Sequence, residues 1–258
     1  MSIYNFLYKL ALKAKEKTFH LNYGREIIKN WYIEYINKII KNSKNIKILD
    51  IGCGKGDDLI NILNSLESDF KKRIIFYGIE YNNDYLKECE AKGIKCYRLN
   101  IERDVFPFKA HFFDIVIINQ VTEHLKEIFY VYSEISRVLK YNGVLIVGFP
   151  NLAAYYDRFS LLLGEQPTCI KLLGPHIRGL TYPGFKSFIE CEGYFKIEKI
   201  KGAGFYPFSE KLSKILAEIF PTFSNSLFFK IKRTNKKGLF INVLKNRFFE
   251  TNFYKGRN

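Results

Sequence analysis

The sequence predicts an α/β protein built on a doubly wound, mostly parallel β-sheet. Between residues 45 and 200, short β-branched runs alternate with segments of helical periodicity, which is the pattern of repeated strand–helix–strand units. The run at residues 113–118 is almost wholly apolar, as expected for a strand that helices cover on both faces. Glycines at positions 52, 54 and 56 follow the first run, which is typical of a tight strand-to-helix turn.

Each element is predicted from its own periodicity and its boundary residues. Two N-terminal helices are predicted where apolar side chains recur every three or four residues, at 3–14 and 25–40. The strands of the central region are predicted at 46–51, 73–79, 94–99, 113–118 and 144–149. The helices between them are predicted from 59 to 66, from Asn82 or Asn83 to just before Gly93, and from 123 to a stop at Asn142-Gly143.

The pattern is less regular after Pro150. A helix, a loop-rich segment, a short helix, a strand, a helix and a last strand are predicted in turn at 152–163, 166–182, 185–191, 194–200, 212–220 and 227–231. We therefore expect an N-terminal helical cap, an α/β domain that carries a ligand-contacting insert at about 151–184, and a basic aromatic tail. Their predicted boundaries are 1–44, 45–233 and 234–258.

The positive charge is concentrated at the two ends of the chain. The net charge of +15 divides into +6 over residues 1–44, zero over 45–200 and +9 over 201–258. A basic surface attracts phosphates, nucleic acid or an anionic membrane. A lysine-rich composition on solvated helix faces explains the same numbers equally well, so both interpretations stay open.

Composition excludes several classes of protein. No apolar run approaches the roughly 18 to 20 residues that a membrane-spanning helix requires. The first residues mix lysines with apolar side chains and lack a small-residue cleavage site, so no secretory signal is predicted. The five cysteines contain no C-x-x-C pair, and neither they nor the few histidines show a metal-ligand spacing. We expect a cytoplasmic protein with free thiols and no metal.

The glycine-rich turn and two acidic residues predict a cofactor site. Asp50 ends the first strand, and Glu80 ends the second, where a carboxylate is well placed to accept hydrogen bonds from ribose hydroxyls. The dinucleotide pattern G-x-G-x-x-G would require glycine where this chain has Asp57, and a carboxylate there repels a pyrophosphate but tolerates a cationic sulfonium. These residues favour S-adenosylmethionine over NAD.

Three segments also resemble a known family. The segment Ile48–Gly56 resembles motif I of class I S-adenosylmethionine-dependent methyltransferases, and Phe112–His124 resembles the fourth-strand motif of their small-molecule, type 11-like branch. Glu134–Gly143 is similar to the helix and turn that follow. The resemblance covers roughly residues 20–200. It implies a Rossmann-like fold with a seven-stranded sheet, and methyl transfer by in-line displacement.

The resemblance also implies a set of cofactor-binding residues. Asp50, Gly52, Cys53 and Gly54 would surround the methionine part, with Cys53 as a small buried neighbour and not a nucleophile. Family members have Asp where this chain has Asn100, and the amide oxygen can accept the same hydrogen bond from the adenine amine. The remaining positions are Glu80 and Tyr81 at the ribose, Ile101 at the adenine, Asn119 and Gln120 beside the methionine, and Arg25 at its carboxylate.

Candidate catalytic and acceptor-binding residues follow the fourth and fifth strands. Glu123 and His124 stand where the acceptor is expected. The imidazole of a histidine can act as a base near neutral pH, which makes His124 a candidate base. Alternatively, both residues simply open a helix. His176 and Arg178 lie in the insert, where related enzymes have a similar histidine-containing stretch, and Arg178 either binds an anionic acceptor or bonds to backbone. Tyr155 and Tyr156, with nearby aromatics, either line the acceptor pocket or belong to the core.

The sequence thus predicts methylation of a small-molecule, sugar or lipid-like acceptor. An RNA methyltransferase is the first alternative, because the ends are basic, although residues 119–122 lack the (Asn/Asp)-Pro-Pro-aromatic sequence of enzymes that methylate base amines. A noncatalytic S-adenosylmethionine-binding protein is the second. The basic, amphipathic segments at 3–14 and 239–249 also suggest peripheral contact with an anionic membrane.

Overall fold

A computed structural model describes residues 19–40, 45–206, 208–245 and 247–256. These residues form one seven-stranded sheet. The strands are β1 (Ile46–Ile51), β2 (Ile74–Ile79), β3 (Lys95–Tyr97), β4 (Phe113–Asn119), β5 (Leu139–Pro150), β6 (Phe195–Ala203) and β7 (Ser226–Arg233). Their order in the sheet is β3-β2-β1-β4-β5-β7-β6, and β7 runs antiparallel to the other six strands. The predicted Rossmann-like sheet is confirmed, whereas the predicted helix at 3–14 lies outside the described residues.

Helices cover both faces of this sheet. They are α1 (Phe19–Ile39), α2 (Asp57–Asn64), α3 (Ser68–Lys71), α4 (Asn83–Ala91), α5 (Ile128–Val138), α6 (Tyr155–Leu162), α7 (Tyr182–Ile189) and α8 (Glu210–Ile219). Successive side chains of β1 point to opposite faces, so Ile48 packs with α1 and α2 while Leu49 packs with α5 and α7. Within the described residues, no helix combines the length and the apolar composition that crossing a membrane requires.

The predicted helix at 123–139 begins too early, and the predicted stop at Asn142-Gly143 is wrong. A 3-10 turn occupies Thr122–His124, and α5 begins only at Ile128. At the other end, Leu139 already pairs with Phe113 of β4, so the chain is extended four residues before Gly143. Asn142 adopts a left-handed φ of 61°, and the register of β4 and β5 shifts beside it. Asn142-Gly143 is therefore an irregularity inside β5 and not a helix stop.

Part of the basic tail packs into the core, whereas Leu239, Phe248 and Phe249 are exposed. Residues Phe240–Leu244 form a 3-10 helix against α5, and Phe240, Val243 and Leu244 are buried. The ring of Phe240 lies 5.2 Å from that of Phe188 on α7. The prediction that these three side chains form a membrane-facing surface is therefore wrong, because they close the apolar layer over one face of the sheet.

Arg233 at the end of β7 fixes the tail to the domain. Its side chain is fully buried, and its guanidinium donates hydrogen bonds to five backbone carbonyls. These belong to Ser136, Tyr194, Thr234, Lys236 and Gly238, at donor–acceptor distances of 3.0 to 3.4 Å. One side chain thereby connects α5, β6 and the tail.

We expect Arg233→Met to destabilise the protein strongly. Met fills a similar volume but removes the guanidinium from five carbonyls, of which that of Tyr194 keeps the Thr234 N–H as a donor. Hydrogen bonds to a charged group contribute about 1.5–3 kcal/mol each. Urea unfolding followed by circular dichroism should show a loss of at least about 3 kcal/mol. Lys237→Met, at an exposed position of the same tail, is the control and should change stability little. Equal stability of both variants would contradict the anchoring role of Arg233.

Candidate cofactor and acceptor site

The cleft lies at the carboxyl ends of β1, β2 and β4, where the predicted cofactor residues meet. It contains two adjoining cavities of about 340 and 240 Å³, which share Gly52 in their walls. The larger is lined by Gly52, Ile79, Glu80, Tyr81, Leu99, Asn100 and Ile101. The smaller is lined by Arg25, Gly52, Cys53, Gly54, Lys55, Asp57, Asp58, Asn119, Gln120 and Phe228. All predicted cofactor residues except Asp50 therefore border one cleft.

Glycine is required at position 52, where β1 turns into the loop. Gly52 has a φ of 71°, and a β-carbon there would come within 2.5 Å of the Val121 side chain. The positive φ and the short distance to Val121 both exclude a residue larger than glycine. The N–H groups of Gly52 and Cys53 donate to the carbonyl of Ile79, which ties this loop to the end of β2.

Glu80 is held in one orientation by three backbone N–H groups. Its Oε2 accepts from Gly54 at 2.9 Å, and its Oε1 accepts from Tyr81 at 2.8 Å and Asn82 at 2.9 Å. A carboxylate offers about four acceptor positions, so one remains on Oε2 for a ribose hydroxyl. Glu80 therefore joins the two loops that the cofactor has to span.

The adenine end of the cleft is formed by the turn after β3. The Asn100 Oδ1 accepts from the Glu102 N–H at 3.0 Å, and the Asn100 N–H donates to Asp104 at 2.8 Å. The amide oxygen keeps a second lone pair for an adenine amine. Tyr81 is exposed beside this turn, with the guanidinium of Arg98 5.1 Å from its ring.

The methionine end of the cleft holds an ion pair and two unsatisfied amides. Arg25 Nε lies 3.0 Å from Asp58 Oδ1, and Asn119 Nδ2 donates to Asp58 Oδ2 at 3.1 Å. Among the described residues, the buried Asn119 Oδ1 and Gln120 Nε2 have no hydrogen-bond partner. Gln120 also has a left-handed φ of 56°. Buried amides that lack partners and line a cavity are suited to a polar ligand such as the amino-acid part of S-adenosylmethionine.

Asp50 and Cys53 lie deeper than the other motif residues. Asp50 is buried and lines neither cavity; burial, reinforced by the nearby carboxylate of Asp58, raises its pKa well above the usual range. Cys53 Sγ lies 3.6 Å from Cys89 Sγ, and hydrogen bonds to Cys89 and Cys96, together with burial, raise the pKa of the Cys53 thiol. The Cys53 side chain therefore packs against another thiol, and the Asp50 carboxyl is buried beneath the glycine loop.

Glu123, His124 and His176 converge, although His176 is 52 residues away in the chain. Glu123 Oε1 lies 3.9 Å from His124 Nε2 and 4.0 Å from His176 Nε2, and the two imidazole centroids are 4.8 Å apart. The Glu123 side chain is only 2% exposed, and burial raises its pKa to about 7. The insert is held there by the Ile177 and Arg178 N–H groups, which donate to the Glu123 carbonyl.

The other acceptor candidates are mostly engaged with the protein itself. The Arg178 guanidinium donates to the carbonyls of Leu125 and Lys126, both at 2.7 Å, so it braces the loop after β4 instead of facing an anionic acceptor. The Tyr155 ring is stacked on Phe205 with centroids 5.6 Å apart. Tyr156 precedes the buried Asp157 in the first turn of α6.

Sequence reasoning did not assign several residues that border the cleft, among them Asp58 and Phe228. Asp58 pairs with Arg25, and its place in the first turn of α2, just after the glycine loop, was a usable signal. Phe228 gave no such signal, because β7 is buried along almost its whole length. Its ring fits against glycines: a β-carbon on Gly24 or Gly148 would approach it within 2.4 or 2.7 Å.

Comparisons with known proteins agree with this geometry. The profile of a family described as "Methionine biosynthesis protein MetW" matches residues 32–177, more than half of the chain. A relative, the ubiquinone/menaquinone biosynthesis C-methyltransferase UbiE of Wigglesworthia glossinidia brevipalpis, is 29% identical over 201 residues, covering 72% of this chain and 69% of the relative.

Solved structures share the fold at low sequence identity. The DszA carbon methyltransferase has a TM-score of 0.59 at 17% identity; the match covers 84% of this chain, which spans 55% of the length of that one. Magnesium protoporphyrin IX methyltransferase ChlM from Synechocystis PCC 6803, solved with bound SAH, has a TM-score of 0.58 at 13% identity, over 85% of this chain and 86% of that one. At these identities the likeness is one of fold.

The strand order, the glycine loop and the carboxylate that follows β2 together define a class I S-adenosylmethionine-dependent methyltransferase. The matched profile makes the assignment more specific: the chain belongs to the MetW family.

We expect Glu80→Ala to weaken S-adenosylmethionine binding roughly 10- to 100-fold, because a hydrogen bond to a charged group contributes about 1.5–3 kcal/mol. Calorimetric titration measures this directly. Glu90→Ala, at an exposed position on the outer side of α4, is the matched control and should bind as the wild type does. Unchanged affinity in a folded Glu80→Ala protein would contradict the ribose role of Glu80.

Proposed function

We propose that the protein transfers the methyl group of S-adenosylmethionine to a small-molecule acceptor whose reacting atom lies against Glu123, His124 and His176. The single observation that supports this most directly is the convergence of these three side chains just after β4, which ends at Asn119. The cofactor's methionine part is expected at Asn119 and Gln120, three to five residues before Glu123 and His124 in the chain. We place the transferred methyl group between those amides and the cluster. The name of the relative UbiE, a C-methyltransferase of quinone biosynthesis, supports an acceptor of low molecular weight.

The reaction needs mainly the correct placement of two molecules. The bound sulfonium supplies an electrophilic methyl group, and the acceptor atom must lie in line behind it. Holding both reactants in one geometry lowers the barrier by removing translational and rotational freedom. Glu80, Asn119 and Gln120 orient the cofactor, while the insert, held to the Glu123 carbonyl by two N–H groups, closes the acceptor side. Closure excludes water from the reacting atoms.

A lipid-like acceptor is favoured by the apolar surface of the insert. Leu172 and Leu173 are almost fully exposed at the tip of the loop that also carries His176, and Leu161, Leu162 and Leu163 are exposed at the end of α6. The exposed face of α8 adds Leu212, Ile215 and Ile219. Clustered exposed apolar side chains are typical of contact with lipid or with a partner. The net charge of +15 favours an anionic lipid surface.

Labelled S-adenosylmethionine tests the acceptor class. We expect the methyl label to enter the lipid-soluble fraction of a cell extract in the presence of the wild-type protein, and to remain at background with Glu80→Ala. Label found only in RNA would replace this proposal with the RNA methyltransferase. Tight cofactor binding without transfer to lipid, aqueous or RNA fractions would leave a noncatalytic cofactor-binding protein.

The loop-tip leucines provide a test of membrane contact. We expect the full chain to co-sediment with vesicles that contain phosphatidylglycerol, and the double variant Leu172→Asp, Leu173→Asp to bind at least about tenfold less tightly, since burying one leucine contributes about 1.5–3 kcal/mol. Val105→Asp is the control, because Val105 is an exposed apolar residue outside the insert and α8. Equal binding by the control and the double variant would rule out insertion of this loop.

A further inference from the structure

The Glu123–His124–His176 cluster has the composition and geometry of a metal site. Its three donor atoms lie within 4.8 Å of one another and come from two separate loops. We propose that they bind one divalent transition-metal ion, of the Zn²⁺ or Fe²⁺ class, at the acceptor end of the cleft. Only the statement that an acceptor oxygen takes an open position on this ion rests on the proposed function.

The hydrogen bonds of the two imidazoles fix which nitrogen faces the cluster. His124 Nδ1 lies 3.0 Å from the carbonyl of Pro175, and His176 Nδ1 lies 2.7 Å from the carbonyl of Cys169. A carbonyl oxygen only accepts hydrogen bonds, so each Nδ1 carries a proton. In the neutral imidazole the lone pair is then on Nε2, the atom that faces Glu123. Metal-binding histidines have this arrangement, in which the far nitrogen donates to a backbone carbonyl or a carboxylate.

The buried carboxylate lacks a hydrogen-bond partner. Among the described residues, neither oxygen of the Glu123 side chain has one, although the side chain is 2% exposed. When both imidazoles are neutral, three electron-pair donors face one another, and a buried carboxylate without compensation is strongly unfavourable. A cation among them would place positive charge beside the carboxylate and would accept a lone pair from each donor.

The distances are suited to an ion better than to a direct hydrogen bond. The separations of 3.9 and 4.0 Å exceed hydrogen-bonding distance. Nitrogen and oxygen ligands lie about 2.0–2.2 Å from Zn²⁺, which separates tetrahedral donors by roughly 3.3–3.6 Å. The two Glu–His separations therefore have to shorten by about half an ångström. The third pair of donors, which lies within 4.8 Å, has to shorten by up to about 1.5 Å. The imidazole side chains are 41% and 25% exposed and have room to turn toward the ion.

The ligand set also defines the class of ion. Two imidazoles and one carboxylate suit borderline divalent metals, and three protein ligands leave positions open for water or for an acceptor oxygen. An ion held by these residues would make a hydroxyl or enol oxygen bound to it more acidic, and that oxygen would release its proton to water as the acceptor binds, before the cleft closes. The electron pair left on the acceptor would then form the bond to the methyl carbon, either directly or through the conjugated carbon, and the carbon–sulfur bond would break to leave a neutral thioether.

Metal titration of the untagged, chelator-treated protein tests the site. We expect one equivalent of Co²⁺ to bind with visible absorption bands, and Zn²⁺ to displace it. His124→Ala, His176→Ala and Glu123→Gln should each weaken binding at least tenfold. His111→Ala is the matched control, because His111 is exposed at the other end of β4, where its ring contacts the Leu139 carbonyl and Tyr141. This variant should bind as the wild type does.

Thermal denaturation provides a second measurement on the same proteins. Zn²⁺ should raise the Tm of the wild type and of His111→Ala but leave Glu123→Gln unchanged, while Glu123→Gln without metal should melt no lower than the metal-free wild type because a buried charge has been removed. Absence of saturable binding, or one-equivalent binding that persists in His124→Ala and His176→Ala, would overturn the proposal. S-adenosylmethionine titration of each sample distinguishes this failure from failure of the cofactor site.

Discussion

The hydrogen bond from the Gly54 N–H to the Glu80 carboxylate is the interaction on which the cleft depends. It connects the loop after β1 with the end of β2, and the same loop donates two further N–H groups to the Ile79 carbonyl. Parallel strands bring their carboxyl ends to one edge, but loops at that edge remain free to move unless they are joined. With the loops joined, a ligand contacts Glu80, Gly52 and the turn at Asn100 without first ordering them, which reduces the entropic cost of binding.

Most of the sheet could be predicted from the sequence because its strands are short, β-branched and separated by strong turn residues. The errors occurred where tertiary packing overrides local preference. Asn142-Gly143 is a usual helix stop, yet Leu139 pairs with Phe113, and the strand passes through the glycine. The tail looked amphipathic and basic, but α5 and α7 leave an apolar layer that Phe240 fills. The periodicity of a segment does not show whether the folded domain leaves an apolar surface nearby for that segment to cover.

The meeting of the candidate cofactor residues could be predicted, and that of the candidate acceptor residues only in part, for a physical reason. The candidate cofactor residues follow consecutive strands, so parallel topology brings them together. His176 comes from an irregular insert, and its position is set by hydrogen bonds from Ile177 and Arg178 to the Glu123 carbonyl. Two roles were predicted for Arg178, and the structure shows the bonding to backbone, since its guanidinium donates to two carbonyls of the loop after β4. No sequence spacing encodes these contacts, which is why no metal-ligand pattern was found.

Buried carboxylates lie at both places that the proposed reaction would use. Burial raises the pKa of Asp50 and of Asp58, and Asp58 pairs with Arg25. Near the insert, Glu123 is buried without a hydrogen-bond partner among the described residues, and two imidazole nitrogens lie 3.9 and 4.0 Å away. In the proposed function, a sulfonium and an ammonium group would compensate the first place, whereas a neutral acceptor would bring no charge to the second. Since a buried carboxylate must be protonated or paired with a cation, the proposed ion would keep Glu123 ionised even after the cofactor has left.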